Sequence, residues 1–179
     1  MHHRIVVLSV VVAICGCTGD HSNENSSEAP AMARGTPSAC PANYLSVRLD
    51  RVDAGAGQRV IRAGIYNDSA RSCVLSGYPG IRPLSAEGRP VSDIEVRRAA
   101  VETGQSKPVE LAPGAHADFS IAFGVIEGEP GRCPEATSIE VMPPDSETAI
   151  GKLDGPVRAC GSHVEVTPLV GARSKAPGA

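Results

Sequence analysis

The stretch Cys73-Val74-Leu75-Ser76-Gly77-Tyr78-Pro79-Gly80 carries the strongest local signals in the chain. Its Tyr78-Pro79-Gly80 segment predicts a type II turn, because proline presets φ at the second position and glycine accepts a positive φ at the third. Residues 81–84 and 89–92 follow as short strands on either side of a Glu87-Gly88 turn. These closely spaced Gly and Pro residues predict short strands joined by tight turns rather than long helices.

Two segments before this stretch alternate between apolar and polar residues, as half-buried strands do. Residues 44–52 and 59–67 form these segments, and the loop 53–58 joins them as a predicted hairpin. The residues expected to face the core are Leu45, Val47, Leu49, Ile61, Ala63 and Ile65.

The chain after this stretch continues the pattern, and residues 116–126 alternate most clearly, which predicts a central core strand. Residues 138–142 and 163–169 are further strands, and Asp154-Gly155 predicts the turn of another hairpin. Residues 94–101 fit either a strand or an irregular segment. Many short strands without a helical period predict an all-β fold, an antiparallel β-sandwich over residues 40–170.

Four cysteines lie in this region, an even number that indicates two disulfides and leaves three connectivities open. If the first two strands form a hairpin, Cys40 and Cys73 both lie at its open end. This geometry favours the pairs Cys40–Cys73 and Cys133–Cys160. No two of the four have the close spacing of a zinc site or a thiol redox centre.

The amino terminus has the features of an export signal. A short basic start and the apolar run 5–14 make residues 1–16 a signal peptide, too short to span a bilayer. Ile14-Cys15-Gly16 before Cys17 is similar to a bacterial lipobox, so Cys17 is expected to become the lipidated first residue; the alternative is a plain secretory signal. Residues 17–39 and 171–179 lack apolar periodicity and are expected to be a disordered tether and tail.

Composition and motifs argue against several classes of function. The formal net charge of −3 disfavours nucleic acid as a partner. No nucleophile elbow or triad context is present, so we expect no enzyme and no cofactor. The domain has two histidines, His116 and His163, which would bind a metal only if they were adjacent; otherwise they are surface imidazoles.

Tyr78 is the candidate interface residue. A ring held on a rigid Pro-Gly turn loses little entropy on binding, which suits an anchor for a partner. The alternative is that the ring packs over a neighbouring edge while its hydroxyl bonds a backbone group.

Four segments resemble domain of unknown function 4232, found in bacterial and especially actinobacterial exported lipoproteins: 72–80, 111–114, 133 with 141–144, and 159–161. The resemblance implies an immunoglobulin-like sandwich with two disulfides in the cell envelope. It implies no activity, cofactor or catalytic residue. We therefore expect a lipid-anchored, non-catalytic binding domain for an envelope protein or polymer, at the outer face of the cytoplasmic membrane or in the periplasm or outer membrane. The alternative is a periplasmic metal- or small-ligand-binding module that uses His116 and His163.

Overall fold

The computed structural model describes residues 38–100, 106–126 and 133–171, all within the compact unit Gly35–Ala179. The predicted signal peptide, the lipidation site Cys17, nearly all of the tether and residues 172–179 lie outside the described residues. Within the described part, the only helix is a single 3-10 turn, Ala42–Tyr44, and the rest is strands and loops, which confirms the all-β prediction. None of its helices is long and apolar enough to cross a membrane.

Eleven strands occur in the described residues. In chain order they are β1 (Leu45–Gly55), β2 (Gln58–Asn67), β3 (Cys73–Leu75), β4 (Gly80–Leu84), β5 (Glu95–Arg98), β6 (Val109–Leu111), β7 (His116–Gly124), β8 (Glu135–Met142), β9 (Gly151–Arg158), β10 (Cys160–Val166) and β11 (Val170–Gly171).

These strands form three sheets that share one core. The largest has the order β1-β2-β7-β10-β5, with β11 also paired to β7; β4-β8-β9 and β3-β6 form the others. Apolar residues from all three sheets meet in one cluster, which gives a sandwich-like arrangement. The buried side chains contributed by the three sheets include Ile65, Ile121, Val164, Ile139, Val141 and Leu111.

Strand β7 is the centre of the largest sheet, as its sequence predicted. It lies between β2 and β10, and its residues alternate strictly between buried and half-buried positions. Two expectations nearby need correction. The β10–β5 pairing is parallel, so the sandwich is not wholly antiparallel, and Gly171 belongs to β11 opposite Ala117 rather than to a disordered tail.

The β1–β2 hairpin is confirmed, but its loop is shorter than predicted. Positive φ angles at Ala56 (48°) and Gly57 (76°) make a two-residue turn, which matches the twist of the two strands it joins. Because β1 is an edge strand, its outer half extends beyond the core. Leu49, predicted to face inward, is therefore 46% exposed.

The predicted turn at Tyr78-Pro79-Gly80 is wrong. The positive φ lies at Gly77 (104°), and Gly80 already begins β4. A Cβ added at Gly80 would lie 3.0 Å from the flexible Met142 Cε and 3.3 Å from Met142 Cβ, so this position packs tightly against β8. The predicted strand 89–92 is also absent, because only an isolated bridge between Leu84 and Pro90 forms there.

The Asp154-Gly155 pair does not turn a hairpin. Strand β9 runs through it, and the register along β8 and β9 shifts between Ala136–Val157 and Ser138–Asp154. Gly155 has a φ of 146° and takes the extra residue of a β-bulge. A glycine beside an aspartate suits either role, and pairing with β8 decides between them.

Both favoured disulfides are present, Cys40–Cys73 and Cys133–Cys160. Cys40–Cys73 joins the chain before β1 to β3, as the hairpin argument required. Loops of 33 and 27 residues give an expected stabilisation of about 3–4 kcal/mol each.

Candidate binding cleft

Tyr78 makes contacts within the fold itself. Its hydroxyl donates a 2.7 Å hydrogen bond to the carbonyl of Ala99, and its half-buried ring packs against the core. The Arg98 guanidinium lies 5.3 Å from the ring centroid. The hydroxyl and one ring face of Tyr78 thus already have partners within the fold. A contact between Tyr78 and another molecule stays a prediction.

The two histidines do not share a site. His116 begins β7 opposite Tyr66, whereas His163 lies on β10 near the other end of β7, about 20 Å away at 3.3 Å per residue. His116 stacks on Tyr66 with ring centroids 4.5 Å apart, and His163 Nδ1 lies 3.0 Å from the Gly161 carbonyl. In the described part of the chain, no three His, Cys, Asp or Glu side chains gather as a metal shell would need. The metal-binding hypothesis that uses both histidines finds no support in this geometry.

A cleft opens between the two larger sheets near the β1–β2 turn. Its volume of about 620 Å³ lies within the range of ligand pockets in proteins. Its walls are mostly apolar, and β1, β2, β7 and β9 all contribute to them. The apolar residues that line it are Leu49, Val52, Ile61, Phe123, Val125, Leu153 and Pro156.

A β-bulge explains why this cleft has apolar side chains in water. The register of β1 against β2 shifts between Leu49 and Arg51, so Asp50 is an extra residue. Leu49 and Val52 are therefore opposite Ala63 and Ile61, both on the core face of β2. They are 46% and 48% exposed, because β1 is an edge strand and no further strand of the described residues pairs with it.

Charged side chains stand at the rim of the cleft. Arg59 lies two residues before Ile61 on β2, so its side chain is on the same face of the strand. It makes no hydrogen bond or ion pair with any residue that the structure describes. Arg158 forms an ion pair with Glu135 at 3.2 Å, and Asp154 adds a carboxylate. The cleft thus combines apolar walls with one cation, Arg59, available to a ligand.

A second groove on the outer face of the largest sheet is larger, about 720 Å³, but polar. Its two arginines both pair with Asp53: Arg62 Nε lies 2.7 Å from Asp53 Oδ2, and Arg51 Nε lies 3.1 Å from Asp53 Oδ1. The hydrogen bond from Arg62 lowers the pKa of the Asp53 carboxyl below its ordinary value of 3.8. Exposed pairs of this kind add little to stability, and they leave few unpaired groups for a ligand.

The cleft and the buried Asn67 were not identified from the sequence. Asn67 ends the core-facing series of Ile61, Ala63 and Ile65, and a polar residue in that phase was the available signal. Nothing local indicates the cleft, because its walls come from strands of two different sheets.

Comparison with known proteins identifies the family of this chain but no biochemical activity. No curated protein matches this chain. The family model described as a domain of unknown function (DUF4232) matches residues 40–170, which cover most of the chain and include all four disulfide cysteines and the cleft. The chain belongs to the domain of unknown function 4232 (DUF4232) family.

Proposed function

We propose that this protein is a non-catalytic binding domain of the cell envelope that holds a protein or envelope polymer in the cleft between its sheets. The observation that carries the proposal is the group of apolar side chains left in water at one end of the fold. Leu49 and Val52 line the cleft, and Ile126, 69% exposed, lies beside it against the β1–β2 turn at Gly57. Exposed apolar groups that cluster in this way mark binding surfaces more often than single exposed residues do.

The proposed location rests on the disulfides and on the amino terminus. Disulfides form and persist in oxidising compartments outside the cytoplasm, and the lipobox-like segment before Cys17 supports a lipid anchor. We also propose that the strands of this domain are arranged as in an immunoglobulin-like sandwich.

Crosslinking in the native envelope tests the proposal. A photo-reactive amino acid at Leu49 is compared with one at Arg89, which is exposed in the loop after β4. We expect Leu49 to give a discrete, reproducible crosslinked product and Arg89 to give none. Identical products from both positions, or none from Leu49, would contradict the proposal.

A further inference from the structure

The cleft lies between two strand edges that are both free. Strand β1 pairs only with β2 and strand β9 only with β8 among the strands that the structure describes. The two strands approach closely at Gly151, where an added Cβ would lie 2.8 Å from Val47 Cγ1. Beyond that contact they line opposite walls of the cleft. A free edge presents unpaired backbone N–H and C=O groups, which another strand can satisfy.

The side chains at this edge suit an extended ligand. The Asp50 bulge directs both Leu49 and Val52 to the core side of β1, and Leu153 approaches from β9. A strand added to β1 would direct every second side chain toward this apolar space. An acyl chain would also bury apolar surface there, but it would leave the backbone groups of the edge without partners.

The chain offers no suitable segment of its own outside the described residues after the signal peptide. Residues 18–37, 101–105, 127–132 and 172–179 are rich in Gly, Pro, Ser, Glu and Ala, and none alternates large apolar residues with polar ones. The occupant therefore comes from another polypeptide. Arg59 at the rim favours a segment that carries a carboxylate.

We propose that the cleft accepts an extended segment of a partner polypeptide, which adds as a strand to the free edge of β1. Its alternate apolar side chains fill the space between β1 and β9, and an acidic residue on it pairs with Arg59. This inference rests on the proposed binding function and names the class of partner. It belongs to the recognition mode in which a strand completes an exposed sheet edge.

A displayed library of random peptides, about a dozen residues long, tests the inference on the full mature chain with its disulfides formed. Peptides are selected on the wild type and counter-selected on the Leu49→Lys/Val52→Lys variant. We expect enriched peptides to alternate large apolar and polar residues and to carry an acidic residue. Their affinity should fall more than about tenfold in Leu49→Lys and in Arg59→Ala, and stay unchanged in Val170→Lys, a matched exposed control.

N-methylated versions of an enriched peptide separate strand addition from simple apolar binding. Methylation of alternate amides removes the N–H donors along one edge of the peptide and places methyl groups there. We expect one alternate set to abolish binding and the other set to be tolerated. Equal effects of the two sets, enriched peptides with helical spacing, binding that survives Leu49→Lys, or no enrichment would each overturn the inference.

Failure of the strand-addition inference can be distinguished from failure of the proposed binding function by the variants and by the crosslinking result. Leu49, Val52 and Val170 are exposed, so lysine at these positions should leave the fold intact. Circular dichroism and thermal melting check this. If lysine at position 49 disturbs the fold, Leu49→Ser replaces it as the test variant. A Leu49 crosslink to a glycan or lipid would overturn strand addition and leave the binding function standing. Absence of any Leu49 crosslink would overturn the binding function itself.

Discussion

Replacement of Asn67 by alanine should cost a large part of the stability of this domain. The side chain is fully buried at the end of β2. Its Nδ2 donates to the carbonyls of Arg71 (2.8 Å), Leu111 (3.0 Å) and Ala112 (3.3 Å). Its Oδ1 accepts from the backbone N–H of Ser69 (3.0 Å) and from its hydroxyl (2.7 Å). One amide therefore joins the end of β2, the loop after it and the end of β6.

The magnitude follows from these contacts. Two Nδ2 hydrogens serve three carbonyls, so about two full bonds are donated, and two more are accepted. At about 0.5–1.5 kcal/mol net for each of these four bonds, Asn67→Ala should lower the free energy of unfolding by about 2–6 kcal/mol. Typical domains have only about 5–15 kcal/mol in total. Asn67→Asp should cost at least as much, because its carboxylate would face carbonyl oxygens and donate nothing.

Urea or guanidinium unfolding of the oxidised protein provides the assay, with linear extrapolation to water. Asn43→Ala is the matched control, because Asn43 is exposed in the 3-10 turn before β1, and surface substitutions usually stay within about 0.5 kcal/mol. An Asn67→Ala variant as stable as Asn43→Ala, or an Asn67→Asp variant as stable as the wild type, would refute this account of the side chain.

The remaining predictions concern a hydroxyl, a carboxyl and the anchor. Tyr78→Phe should lower the free energy of unfolding by about 0.5–1.5 kcal/mol in the same assay, because the bond to Ala99 is lost; no change would contradict this role. Arg62→Ala should raise the pKa of Asp53 toward 3.8, measured by carboxyl NMR titration, and an unmoved pKa would contradict the cause assigned here. Because the folded pKa is lowered, the contribution of Asp53 to stability is present above pH 3.8 and is lost as the pH falls through the folded value. Cys17→Ala should move the protein from the membrane to the aqueous fraction, and unchanged partitioning would contradict the anchor.

Local alternation predicted the elements whose environment is regular. Strand β7 is covered on its core face along its whole length, so its sequence alternates without interruption. The disulfide pairing followed from the β1–β2 hairpin, which places Cys40 and Cys73 at the same end. In both cases a regular local pattern was sufficient to predict the structure.

The failures came from contacts that are distant in sequence. Gly80 suggested a turn, but it begins β4 and packs against Met142 of β8. Gly155 suggested a hairpin, but it takes a bulge opposite β8. The cleft depends on the bulge at Asp50 and on the free edges of β1 and β9, which belong to different sheets. Short-range patterns contain no information about which edges meet.

The most direct test of the central claim, that the β1–β9 cleft is the binding surface, is amide hydrogen exchange of the full chain in isolated envelopes against the purified protein. Binding at this cleft predicts that exchange slows in the outer half of β1 and in β9. Val96 on the other edge strand, β5, should exchange equally in both samples. Slower exchange in β5 with no change in β1, or identical exchange everywhere, would contradict the claim.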